Sequence, residues 1–101
     1  MNCKTRGADL LVAALSESGT RQLFTLSGNQ IMSVFDASID NNLELFHVRH
    51  EAAAVHMADA WGRLTEKPGV ALTTAGPGFA NTISALYVAK MAESPMVLLA
   101  G

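Results

Sequence analysis

The chain has 101 residues, of which 50% are hydrophobic, 16% charged and 6% aromatic, and it carries a net charge of −2. That length holds one domain or part of one, and that composition excludes a disordered chain. The charges are scattered and form no basic run, so generic nucleic-acid binding is disfavoured.

Cys3 is the single cysteine. It leaves no room for a disulfide scaffold or a cysteine-based zinc site, and it reads as a bystander in a reducing compartment. The first residues lack the apolar stretch of a signal peptide, and no apolar run approaches the ~18 residues of a membrane span. A cytoplasmic protein without a membrane partner is expected.

Residues 5–18 read as a helix, with an apolar stripe of Leu10, Leu11, Ala14 and Leu15 and with Gly19 placed to end it. Residues 22–26 read as a strand, followed by a turn at Ser27-Gly28-Asn29. A second helix is expected over 31–39, with Ile31, Val34, Phe35 and Ser38 on one side, and a second strand over 43–48. Residues 50–64 give the clearest helix, where Ala54, Met57, Ala58, Trp61 and Leu64 follow helical spacing. Glu66-Lys67-Pro68-Gly69 breaks it. A third strand over 70–75 meets a sharp turn at Gly76-Pro77-Gly78. A fourth helix is expected over 79–92, carrying Ile83, Leu86, Tyr87 and Met91, and a last strand over 96–100. Met57, Met91 and Met96 read as core filler.

Helices and strands thus alternate along the whole chain. That order implies right-handed crossovers and a parallel sheet with helices on both faces, a flavodoxin-like three-layer α/β fold. The chain stops directly after an apolar strand, so the domain is expected to be incomplete at its C-terminus.

In an open α/β sheet, ligands bind beyond the carboxyl ends of the strands. Three segments fall there: Ser27-Gly28-Asn29, His47-Val48-Arg49-His50-Glu51, and Thr74-Ala75-Gly76-Pro77-Gly78-Phe79-Ala80-Asn81. Glu51 opens a helix. A carboxylate there satisfies the helix dipole. Flanked by Ala52-Ala53-Ala54, it is also suited to sharing a proton with a ligand nitrogen. Gly76-Pro77-Gly78 with Asn81 reads either as a tight turn or as a floor that lets a flat ligand approach an amide. A dinucleotide site lacks its third glycine. His47, His50 and His56 lack metal-ligand spacing, so no metal site is expected. His50 adjoins Glu51 and is a weaker candidate for touching substrate.

These segments together resemble the N-terminal, pyrimidine-binding domain of thiamine-diphosphate enzymes. Residues 47–64 resemble that family's RHE-x-x-A-x-x-M-A-x-G-Y-A-R segment, residues 68–81 its strand and T-x-G-P-G-x-x-N turn, and residues 92–101 its next strand. Their order and spacing agree over essentially the whole chain. The nearest flavour is acetolactate synthase-like, followed by oxalyl-CoA decarboxylase and 2-hydroxyacyl-CoA lyase relatives. The resemblance implies that Glu51 is catalytic, sharing a proton with the cofactor's aminopyrimidine so that the thiazolium can be deprotonated and attack a 2-keto acid. It implies that Gly76, Pro77, Gly78 and Asn81 pack near the pyrimidine, and Gly28 and Asn29 near the thiazolium and substrate. It also implies Mg2+ and diphosphate held by a separate domain not seen in these residues, and a homodimer or homotetramer. The usual first loop G-V-P-G-G is here Thr25-Leu26-Ser27-Gly28-Asn29, and the usual Tyr-Ala is Trp61-Gly62. These departures bear on substrate choice and on packing.

The alternative is a non-catalytic fragment or split subunit, acting only with a chain that carries the diphosphate half. By itself the 101-residue chain is expected to be inactive.

Overall fold

The computed structural model describes residues 5–101. Cys3 lies outside them. The elements in chain order are α1 (Gly7–Glu17), β1 (Gln22–Thr25), a 3-10 turn (Asn29–Ile31), α2 (Met32–Asp40) and β2 (Glu44–His47), then α3 (Glu51–Thr65), β3 (Gly69–Thr73), α4 (Pro77–Ala80), α5 (Ile83–Met91) and β4 (Met96–Ala100). Among the described residues no helix is long and apolar enough to cross a membrane.

The four strands form one sheet in the order β2-β1-β3-β4. Every pairing is parallel, with Gln22 opposite Glu44 on one side and Gly69 opposite Met96 on the other. Alternation along the strands splits the core in two. Leu23, Val70 and Leu72 face α1 and α2, meeting Val12, Val34 and Ala37. Phe24 and Ala71 face α3 and α5, meeting Ala54, Val55, Ala58 and Ala85. The result is the expected three-layer α/β arrangement. Every residue of the central β3 is buried, as a strand covered on both faces must be.

Two expectations need correction. The helix read over 79–92 is two helices. Both the Thr82 hydroxyl and the Thr82 N–H donate to the Phe79 carbonyl, at 2.6 and 2.9 Å. A buried threonine that turns back on its own backbone competes with the next helical bond, and the chain bends there. The bend leaves Asn81 at the joint.

The inward faces also differ from the spacing. On α5 the buried residues are Ala85 and Ala89, while Ile83, Tyr87 and Met91 are 52%, 62% and 66% exposed. On α3 the buried set is Ala54, Val55, Ala58, Asp59 and Gly62, while Met57 and Leu64 face outward. Small residues let these helices lie close on the sheet, and the larger side chains are turned out. Met57 and Met91 are therefore not core filler. Trp61 is half-buried, its ring 6.4 Å from that of Phe24.

A buried acid ties α3 to the turn before β4. Asp59 accepts two hydrogen bonds from Arg63, at 2.8 and 2.9 Å, and one from the Ser94 hydroxyl. The Arg63 guanidinium first, and Ser94 as well, hold the Asp59 carboxyl below its ordinary range against the opposing effect of burial. A lowered folded pKa adds stability above the unfolded value of ~3.9, and that stability is lost as pH falls through the folded value. Arg63 is half exposed, so water screens much of the attraction. Asp59→Ala is expected to cost about 1–2 kcal/mol at neutral pH and less near pH 3, below the unfolded carboxylate value. Urea unfolding at both pH values measures the difference.

Candidate functional site

The strand order puts the site where it is. The chain moves from β1 outward to β2, then returns to the other side of β1 to form β3. The loops leaving β1 and β3 therefore part in opposite directions, and a crevice opens between their carboxyl ends. The first residue of α3 reaches the same edge.

Glu51 is that first residue, and it is half-buried. His50 caps the helix before it. Its backbone is extended, at φ −152° and ψ 138°, and its Nδ1 accepts the Ala52 N–H at 3.0 Å. One ring nitrogen is thus committed to holding the helix start.

The Glu51 carboxylate has two different environments. Oε1 accepts from the Asn81 side-chain amide at 3.1 Å. Oε2 lies 3.4 Å from the place where a Cβ on Gly78 would stand. The turn that presents Asn81 depends on its first two residues. Gly76 has φ +66° and ψ −123°, a conformation that favours glycine. Pro77 follows at the first helical position, where its missing N–H costs nothing. Ala80 N–H then closes on the Gly76 carbonyl at 2.9 Å, which completes α4 and leaves Asn81 at its end.

Thr74 joins this group to the loop after β1. A Cβ on Gly28 would lie 2.4 Å from Thr74 Cβ, and one on Gly78 would lie 2.6 Å from Thr74 Cγ2. The Thr74 hydroxyl donates to Gln30 Oε1 at 2.8 Å. Gly28 has an extended backbone, so glycine is needed there for closeness rather than for torsion. Asn29 is exposed and opens the 3-10 turn.

The candidate residues are not all brought to one point. Glu51, Gly78 and Asn81 are brought into direct proximity. Gly28 is joined to them through Thr74, while Gly76 and Pro77 shape the turn. Asn29 stands at the rim, and His50 is tied to the helix cap. Thr74 and Gln30 were not singled out from the sequence. The signal for Thr74 was its place at the head of the T-x-G-P-G-x-x-N turn, and Gln30 gave none.

Among the described residues, two openings flank the sheet. One of about 500 Å3 lies past β1 and β2, lined by Leu26, Ser27, His47, Val48 and Arg49. His47 packs edge-on against Phe35, with ring centres 5.6 Å apart. The other, about 570 Å3, lies at the opposite edge between Trp61, Lys67, Val70 and the turn at Gly19-Thr20. It contains no carboxylate, and its Arg21 donates to the Ser16 and Thr20 carbonyls. His56 is exposed on α3. Among the described residues no three His, Cys, Asp or Glu side chains are grouped to hold a metal ion.

A carboxylate with one oxygen fixed by an amide and the other beside a glycine can share a proton with a flat nitrogen heterocycle. That constellation lies at the switch crevice of a parallel α/β sheet, where open α/β sheets bind their ligands. Residues 5–101 match the family model described as "Thiamine pyrophosphate enzyme, N-terminal TPP binding domain", and the chain belongs to that family. It is similar to "Acetolactate synthase, catabolic" of Raoultella terrigena, at 46% identity over 95 residues, covering 94% of this chain and 17% of that protein. It is similar to "2-hydroxyacyl-CoA lyase 2" of Xenopus laevis, at 48% identity over 100 residues, covering 99% of this chain and 15% of that protein. "Acetolactate synthase" of Bacillus subtilis is 47% identical over 98 residues, with coverages of 97% and 17%. The chain therefore spans only about one sixth of the length of these relatives.

Proposed function

We propose that this chain forms the pyrimidine half of a thiamine diphosphate site in an acetolactate synthase-like enzyme. That enzyme decarboxylates a 2-keto acid and transfers the acyl fragment to an acceptor. The observation that carries the reading is the asymmetric Glu51 carboxylate, held by Asn81 on one oxygen and beside the bare Cα of Gly78 on the other.

The residues fit the cofactor's aminopyrimidine. A flat ring needs a surface without side chains, which Gly78 gives, and its ring nitrogen needs a proton-sharing oxygen, which Glu51 gives. When bound, the cofactor supplies the electron sink for decarboxylation. Glu51 Oε2 would share a proton with the ring nitrogen. Asn81 fixes the Glu51 rotamer, so no reorganisation is needed when that proton moves. Gly76 and Pro77 set the height of the turn. His50 holds the start of α3 and so fixes where Glu51 begins. Gly28 and Asn29 would stand toward the thiazolium and substrate.

Diphosphate and Mg2+ are held outside these 101 residues, on the same polypeptide or on a second copy in a homodimer or homotetramer. The similarity to a 2-hydroxyacyl-CoA lyase, at 48% identity, supports a second reading in which the same half-site serves carbon–carbon cleavage of a 2-hydroxyacyl thioester.

The test uses the complete enzyme carrying this chain, dialysed free of cofactor at high pH with a chelator. Activity on pyruvate or another 2-keto acid is expected to vanish and to return only when thiamine diphosphate and Mg2+ are both added. Turnover of 2-hydroxyacyl-CoA with no 2-keto acid activity would favour the second reading. Full activity without the cofactor would contradict both.

A further inference from the structure

The Thr74–Gln30 hydrogen bond crosses from the end of β3 to the loop after β1. Thr74 is half-buried where the chain leaves β3, and its side chain is fixed on three sides. Gly28 and Gly78 enclose it, each too close to carry a Cβ of its own, and Gln30 takes its hydroxyl proton at 2.8 Å. Gly78 is also the residue beside Glu51 Oε2. The Thr74 side chain therefore links the proton-sharing end of the crevice to the loop after β1.

Gln30 is exposed at that loop. Its carboxamide oxygen is occupied by Thr74, which leaves the amide NH2 as its remaining polar group, with two donors and no acceptor. A glutamine side chain loses much rotamer freedom when it is fixed. Here one end is already held before any ligand arrives. A donor pair held in this way favours an oxygen acceptor and disfavours a ligand N–H.

We propose that Gln30 is a specificity-determining donor for a carboxylate or carbonyl oxygen of the substrate, and that Thr74 is the positioning residue that holds it. The proposal rests on the thiamine diphosphate reading above and adds the substrate-facing part of the same crevice.

The experiment measures kcat and KM for the 2-keto acid, and cofactor affinity by quenching of intrinsic fluorescence, in the complete enzyme. Gln30→Glu keeps an oxygen to accept from Thr74 and replaces the donors with negative charge. It is expected to raise KM about tenfold or more while cofactor affinity stays within about twofold. Thr74→Val keeps the shape between the two glycines and removes the hydroxyl. It is expected to raise KM about fivefold, and Thr74→Ser, which restores the hydroxyl, is expected to return KM to near the wild-type value. A wild-type KM in Gln30→Glu would overturn the proposal. So would a parallel rise in KM and fall in cofactor affinity in all three variants, which would mark the contact as purely structural. A wild-type enzyme with no thiamine diphosphate dependence would overturn the functional reading itself, and that is seen before any variant is made.

Discussion

Glu51→Gln is expected to lower turnover of the complete enzyme by about a hundredfold to ten-thousandfold, the range for loss of a positioned proton-transfer group. Glutamine has nearly the shape of glutamate, and its amide oxygen can still accept from Asn81 Nδ2, which stands 3.1 Å from Glu51 Oε1. The polar contact across the crevice survives, and what is lost is the charge and the capacity to share a proton at Oε2. The fold is little affected. A carboxylate in the first turn of a helix contributes about 0.3–1 kcal/mol, and the Ala52 N–H keeps its acceptor on His50. The expected pattern is therefore a collapsed kcat, an unfolding midpoint lowered by no more than a few degrees and a cofactor that still binds. Steady-state kinetics alongside thermal unfolding separates the two effects.

Gly78→Ala is expected to give the second largest loss, and by a different route. The new methyl would stand 2.6 Å from Thr74 Cγ2 and 3.4 Å from Glu51 Oε2. Thr74 is backed by Gly28, where a Cβ would be only 2.4 Å away, so it has nowhere to retreat. Two terms oppose each other. Alanine favours a helix over glycine by about 1 kcal/mol, and Gly78 lies within α4. Overpacking a tight contact costs about 1–3 kcal/mol. The two nearly offset in stability, whereas nothing offsets the loss of the bare surface on which a ring would lie. Cofactor affinity is expected to fall about tenfold or more, with unfolding free energy changed by less than about 2 kcal/mol. Unchanged cofactor affinity would show that no ring lies against Gly78.

Much of this architecture is legible in the residues. The alternation of helix and strand fixes the parallel sheet, because each crossover must return on the same hand. β4 spans Met96–Ala100, the same bounds as its apolar run. The Glu51–Asn81 pair, 30 residues apart, follows from the rule that strand ends share one edge. The rest was hidden for particular reasons. Helical spacing marks Ile83, Tyr87 and Met91 as a stripe, but spacing alone does not say which stripe faces the sheet. Close packing selects Ala85 and Ala89 instead. The bend at Thr82 depends on where one hydroxyl proton goes. The Thr74–Gln30 contact joins residues 44 apart through a cleft that exists only once Gly28 and Gly78 are in place.

The most direct measurement is the rate at which the thiazolium C2 proton of enzyme-bound thiamine diphosphate exchanges with deuterium, read by acid quench and NMR in wild-type enzyme and in Glu51→Gln. If Glu51 shares its proton with the cofactor, exchange is fast in the wild type and slower by about two orders of magnitude or more in the variant, with cofactor still bound in both. Equal exchange rates at equal occupancy would contradict the role assigned to Glu51, and with it the pyrimidine half-site.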